Sequence, residues 1–154
     1  MSEHRTRVLF VCLGNSCRSQ MAEAFARALG SDVIVPASAG LAPAMCIAPD
    51  TIAAMAEKDI VVRDHFPKSV RNLARIRFDV VVNMAQRPLP SLLVEGKPVR
   101  VLEWEIPDPI GMTYEQHCQV RDGIERKVVE LIEELRRQPR PPRFRGQGSG
   151  RVPL

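Results

Sequence analysis

The segment VLFVCLGNSCRSQMAEAFARAL, starting at Val8, constrains the fold more than any other part of the chain. Arg7 to Val11 is β-rich and continuously apolar, which predicts a strand buried on both faces of a parallel sheet. A loop containing Gly14 and Asn15 follows. From about Ser19 to Leu29 strong helix formers place Met21, Phe25 and Leu29 four residues apart, which predicts an amphipathic helix closed by Gly30. A buried strand, a tight loop and a helix form the first half of a right-handed crossover, and the partner strand must then lie parallel to the first.

The rest of the chain keeps the alternation. Asp32 to Val35 predicts a second strand ending at Pro36 and the turn-like Ser38-Ala39-Gly40. Pro49 or Asp50 opens a helix to about Lys58, and a short helix is expected around Lys68 to Arg75. FDVVVNM, Phe78 to Met84, is the clearest central strand. A short helix near Leu89 to Leu93, a fourth strand at Val99 to Leu102 and a loop containing EIPDPIGM lead to the last helix. Thr113-x-x-Gln116 forms a capping box there, and Val120, Ile124, Val128, Leu131 and Leu135 form its apolar stripe. The predicted class is α/β: a four-stranded parallel sheet flanked by helices on both faces.

With 154 residues, 45% hydrophobic and 26% charged, one domain is expected, spanning residues 1–135. Residues 136–154 hold six Arg and no acid among many Pro and Gly, so they predict a disordered basic tail that could dock an acidic partner. The net charge of +4 belongs to that tail; residues 1–135 carry about −2, and no nucleic-acid partner is expected. No apolar run is long enough to span a bilayer and no secretory leader precedes Gly14, so the expected location is the cytoplasm, away from membranes. Cys12, Cys17, Cys46 and Cys118 form no CxxC pair, and with only three His no zinc site is expected.

The loop after the first strand is the candidate site. Ligands of doubly wound sheets bind at the carboxyl ends of strands. Backbone N–H groups from Leu13, Gly14, Asn15, Ser16, Cys17 and Arg18, with the helix terminus behind them, suit a tetrahedral anion. Gly14 is expected to supply the backbone freedom and Asn15 to brace the ring. Neither GxxxxGK[ST] nor GxGxxG is present; Cys-x5-Arg-Ser stands in their place. Arg18 can fork two donors onto two oxygens, and Ser19 can donate to a Cys12 thiolate that these surroundings favour.

Attack by Cys12 on a phosphate ester requires an acid for the leaving oxygen. Asp108, between Pro107 and Pro109 and after the fourth strand, is expected on the same sheet edge. Over about residues 6–135 the chain resembles the low-molecular-weight protein tyrosine phosphatases and the arsenate reductases that share their fold. The resemblance lies in VCLGNSCRSQMAEAFAR, SAGL, FDVVVNM and IPDPIG. It implies Cys12 as nucleophile, Leu13 to Arg18 as anion cradle, Ser19 as thiolate-stabilising hydroxyl and Asp108 as general acid and later base. It implies no cofactor.

The leading expectation is a phosphomonoester hydrolase acting on phosphoprotein through a phosphocysteine. The alternative is an arsenate reductase using the same nucleophile on a small oxyanion. Gln20 in place of the Pro usual in phosphatases, Trp104, and Ile110-Gly111 in place of stacking aromatics lean that way. Against it, the resemblance implies extra cysteines just after the third strand in thioredoxin-coupled reductases, and NMAQRPLPSLLVEG has none. A reductase of this sequence would need thioredoxin, a low-molecular-weight thiol such as glutathione or mycothiol, or a remaining cysteine. Cys17 could pair with Cys12 under oxidation, Cys46 could act as a resolving thiol, and His65 could rim the site. A third reading is a non-catalytic anion-binding or scaffolding module.

Overall fold

The structure is a computed structural model and describes residues 5–138. Four parallel strands, β1 (Thr6–Cys12), β2 (Ile34–Gly40), β3 (Val80–Asn83) and β4 (Arg100–Glu103), lie in the order β2-β1-β3-β4. The helices are α1 (Arg18–Gly30), α2 (Pro49–Ala56), α3 (Ser91–Val94) and α4 (Tyr114–Arg137), with a 3₁₀ turn at Val70–Leu73. Among the described residues no helix is long and apolar enough to cross a membrane.

Alternation along β1 decides the layering. Val8, Phe10 and Cys12 face the larger core, with Met21 and Phe25 of α1, Met55 of α2 and Ile124, Val128 and Leu131 of α4. Leu9 and Val11 face the smaller layer, with Ala39, Val70, Val81 and Leu93. Both faces are covered, which is why β1 needs no polar residue in its apolar run. Phe10 is fully buried and meets Trp104 with ring centroids 6.0 Å apart. Truncating it to Ala would cost about 3–5 kcal/mol.

Three local expectations are corrected. Pro36 does not end β2; it sits within the strand opposite Val8. A proline is tolerated there because β2 is an edge strand, so its missing N–H breaks no inner ladder. Gly30 does not close α1 from outside but is its last residue, with Ser31 as cap. A Cβ on Gly30 would lie 2.6 Å from Ile132 of α4, so the glycine lets two helices approach closely. That contact takes the inward direction at the end of α1, and Leu29, expected on the apolar face, is 42% exposed.

The capping box is present as expected: Thr113 Oγ1 accepts from the Gln116 N–H, and Gln116 Oε1 accepts from the Thr113 N–H. Helix α4 runs to Arg137, two residues past the expected domain boundary, and Arg136 pairs bidentately with Asp32 at 2.7 and 2.9 Å. The disorder expected of residues 136–154 does not hold for Arg136 and Arg137, which are helical; residues 139–154 of that tail lie outside the described residues.

Candidate active site

Between Cys12 and α1 the loop folds into a cup because its carbonyls are engaged from outside. The N–H groups of Leu41, Ala42, Ala44 and Ala48 donate to the carbonyls of Cys12, Leu13, Gly14 and Ser16, at 2.8–3.3 Å. Ser16 Oγ donates to the Cys46 carbonyl, 2.9 Å. With its carbonyls held by residues 41–48, the loop can turn amides other than that of Asn15, which meets the Cys12 sulfur, toward an anion, as a nest requires. The cup sits at the carboxyl end of β1, beside the start of α1.

The glycine expected to permit this shape is not the one that does. Gly14 lacks a positive φ, whereas Asn15 takes the left-handed region at φ 52°. Asn tolerates that conformation when its amide is locally bonded. The glycine the cup does require is Gly40, whose added Cβ would lie 2.8 Å from the Leu13 carbonyl oxygen and 3.0 Å from the Asn15 N.

Asn15 is the hub of a network whose polarity its ends dictate. Its Oδ1 accepts from the Lys68 backbone N–H at 2.8 Å and from Gln20 Nε2 at 3.0 Å, so its Nδ2 must be the group that donates to Ser19 Oγ at 2.7 Å. Ser19 is thereby already an acceptor, and its own proton is directed to Cys12 Sγ, 2.9 Å away. The Asn15 N–H also donates to that sulfur, at 3.2 Å. Two donors on one sulfur is the arrangement a thiolate prefers. Gln20 Nε2 also donates to the Phe66 carbonyl, which leaves Gln20 Oε1 as acceptor from His65 Nδ1 at 3.1 Å. His65 is therefore tied to the loop through Gln20 rather than merely standing at its rim.

Arg18 is 4% exposed. Its Nη1 donates to the carbonyls of Met84 and Ile106 and to Gln86 Oε1, at 2.6, 3.1 and 3.0 Å. The far edge of the guanidinium is thus held by the ends of β3 and β4, and Nη2 lies 3.6 Å from Asp108 Oδ2. Asp108 is on the cup's edge of the sheet as expected, about half exposed, its Oδ1 accepting from the Ile110 N–H. A groove of about 470 Å³ between Glu105–Met112 and α4 adjoins this loop without including Cys12.

Of the other thiols, Cys46 is exposed on the segment that braces the cup. Cys118 lies 4.0 Å from Glu57. Cys17 is buried, and burial pushes its thiol above the ordinary value. Thr51 Oγ1 lies 3.0 Å from Nε2 of His117, a residue held below its usual value by burial. Among the described residues no group of three His, Cys, Asp or Glu could hold a metal ion.

Gln86 and the carbonyls of Met84 and Ile106 had no signal in the sequence, because each meets Arg18 only through long-range packing. Gln20 did have one, since it follows Arg18-Ser19 directly and a glutamine on the inner face of a helix needs partners.

Residues 7–140 match the family described as low molecular weight phosphotyrosine protein phosphatase. The chain is 34% identical over 130 residues to a glutaredoxin arsenate reductase of Synechocystis, covering 84% of this chain and 98% of that protein. It is 31% identical over 126 residues to arsenate reductase 2 of Staphylococcus saprophyticus, covering 82% and 95%. A solved arsenate reductase in the phosphate binding state is 34% identical with a TM-score of 0.75, covering 84% and 98%. These relatives overturn the leading expectation of a phosphomonoester hydrolase acting on phosphoprotein: the chain's likeness is to arsenate reductases. Ile110, 63% exposed beside Asp108, agrees with the correction, since it offers no aromatic face on which a phosphotyrosine ring could stack.

Proposed function

The chain belongs to the low molecular weight phosphotyrosine protein phosphatase family, and we propose that within it this protein reduces arsenate to arsenite at the expense of thiols. The observation that carries the reading is a cup whose Cys12 sulfur takes hydrogen bonds from Ser19 and the Asn15 N–H, in a chain 34% identical over most of its length to an arsenate reductase.

Arsenate enters the cup and is held by the loop N–H groups and by the Nη2 edge of Arg18. Cys12 attacks arsenic; an S–As bond forms, an As–O bond breaks, and Asp108 gives the leaving oxygen its proton so that water departs. A second thiolate then attacks the Cys12 sulfur. An S–S bond forms and the S–As bond breaks with its electron pair left on arsenic, which leaves as arsenite. Two thiols are oxidised and one As(V) becomes As(III), and an external thiol restores Cys12. No cofactor enters these steps. The small cup suits a small oxyanion as substrate, and the reductant proposed is a thiol: a glutaredoxin, as the name of the Synechocystis relative suggests, a thioredoxin or a low-molecular-weight thiol.

The test is arsenite production by purified reduced protein with glutathione, mycothiol, glutaredoxin and thioredoxin supplied in parallel. Cys12→Ser should abolish it, and Asp108→Asn should lower kcat about 10²- to 10⁴-fold. An absence of arsenite with every reductant would sink the reading.

A further inference from the structure

We propose that Gln86 is the positioning residue for Arg18, an exposed strut between the ends of β3 and β4 that keeps the Nη2 edge of the guanidinium turned into the cup. The proposal rests on the arsenate reductase reading for the identity of the anion and adds to it the group that aims the arginine.

The backbone at Gln86 is the first sign. It takes φ 56°, in the left-handed region that any residue with a Cβ avoids, and glutamine lacks the short side chain with which Asn or Asp settles there. The residue is exposed, so packing does not demand a glutamine. The turn is nevertheless fastened in this shape from beneath. Asn83, 1% exposed at the end of β3, accepts from the Ala85 N–H at 3.0 Å through Oδ1. Through Nδ2 it donates to the Arg87 carbonyl at 2.7 Å and to Glu103 of β4 at 3.3 Å. Gln86 stands between the two residues so held. A strained position that its surroundings over-determine points to a use for the strain.

That use is a side chain turned inward with both polar ends matched. Gln86 Nε2 donates to the Trp104 carbonyl at 2.9 Å, so Oε1 is the end that meets Arg18 Nη1, 3.0 Å away. Nη1 also donates to the carbonyls of Met84 at 2.6 Å and Ile106 at 3.1 Å. Three acceptors thus surround a nitrogen that carries two protons, and this end of the guanidinium has nothing left to offer an anion. Nη2 is the end that remains for the cup, where it lies 3.6 Å from Asp108.

Two of the three acceptors are backbone carbonyls on separate segments, one after β3 and one after β4. The ladder between those strands closes with the Trp104 N–H bond to the Asn83 carbonyl, and Gln86 continues the tie beyond it. Removing the tie lets the two carbonyls separate, and the guanidinium gains freedom to turn toward Asp108. Anion contacts are then weakened in the ground state and the transition state alike, a loss that raises KM and spares kcat.

The experiment titrates inorganic phosphate into reduced protein by calorimetry, beside thermal midpoints and arsenite turnover with external thiol. Gln86→Met keeps the length and removes both polar ends. It should weaken phosphate binding about tenfold, the lower end for a bond to a charged group because the two carbonyls remain. KM for arsenate should rise by the same factor, with kcat within about twofold. Gln86→Gly should weaken binding likewise and yet raise the thermal midpoint, because glycine adopts the left-handed φ freely. Asp59→Gly relieves the same strain, at φ 60° beyond α2, and should raise the midpoint with phosphate binding unchanged. Wild-type phosphate affinity in both Gln86 variants overturns the proposal. So does a Gln86→Gly protein whose midpoint falls along with its affinity, since the residue then only holds the fold. Phosphate binding needs no turnover, so an absence of arsenite in every arm overturns the reductase reading while the titration still decides the role of Gln86.

Discussion

Asn15 and Gly40 share the work that a loop glycine was expected to do. Asn15 adopts the left-handed φ and fixes itself there with three side-chain bonds, while Gly40, on the neighbouring strand, vacates the space into which the Leu13 carbonyl and the Asn15 amide fit. Gly40→Ala should therefore act through the loop more than through the core. Its Cβ meets backbone, which cannot rotate away, and a displacement of about 1 Å in the cup should lower kcat/KM about 10²-fold. Steady-state arsenite production, set beside the thermal midpoint, checks this; unchanged turnover would show that the cup does not depend on Gly40. At this scale the sequence foretold that Cys12, Arg18 and Ser19 gather at one loop, because their spacing is local. It misassigned the backbone role of Gly14, because left-handed φ is permitted to glycine without being required of it.

Among the elements, the junction of α2 and α4 is held by a small charged cluster. Glu57, just after α2, accepts from Tyr114 Oη at 2.5 Å and from Arg121 Nη1 at 3.0 Å, both on α4. The Tyr114 and Arg121 bonds hold the Glu57 carboxyl below its ordinary value of 4.5, and the Glu57 bond raises the Tyr114 phenol above its ordinary 10.0. The depressed acid contributes stability above its unfolded value, which is lost as pH falls through the folded one; the raised phenol contributes stability below 10.0, which is lost as pH rises. Wild-type urea midpoints should thus fall below about pH 4.5 and again above about pH 10, and Glu57→Gln should flatten the acid limb. An unchanged acid limb in the variant would assign it to other carboxylates. The capping box of α4 was readable from Thr113 and Gln116, since both partners lie in one turn. The Glu57 cluster was not, since its members are 57 and 64 residues apart in sequence.

Across the whole molecule, the order β2-β1-β3-β4 brings the loop after β1, the segment after β2, the end of β3 and the loop after β4 to one sheet edge. The groups that hold and attack the anion in the proposed reaction lie between Cys12 and Asp108. Deleting residues 139–154 should therefore leave arsenite turnover within about twofold of the full chain, a change worth under 1 kcal/mol in the barrier. A larger loss in parallel kcat/KM measurements would give the basic tail a part in substrate or reductant binding. By itself the sequence determined the class of fold and the position of the loop that carries Cys12, because hydrophobic period and the Cys-x5-Arg-Ser spacing are local and a buried strand feeding a helix start admits few alternatives. Only the tertiary structure decided which edge strand could hold Pro36, which glycine clears the cup, how Lys68 and Phe66 fix the donor direction that ends on Cys12, and that His117 of α4 meets Thr51 of α2. Each of these depends on groups tens of residues apart meeting within hydrogen-bond distance, and no local pattern encodes that meeting.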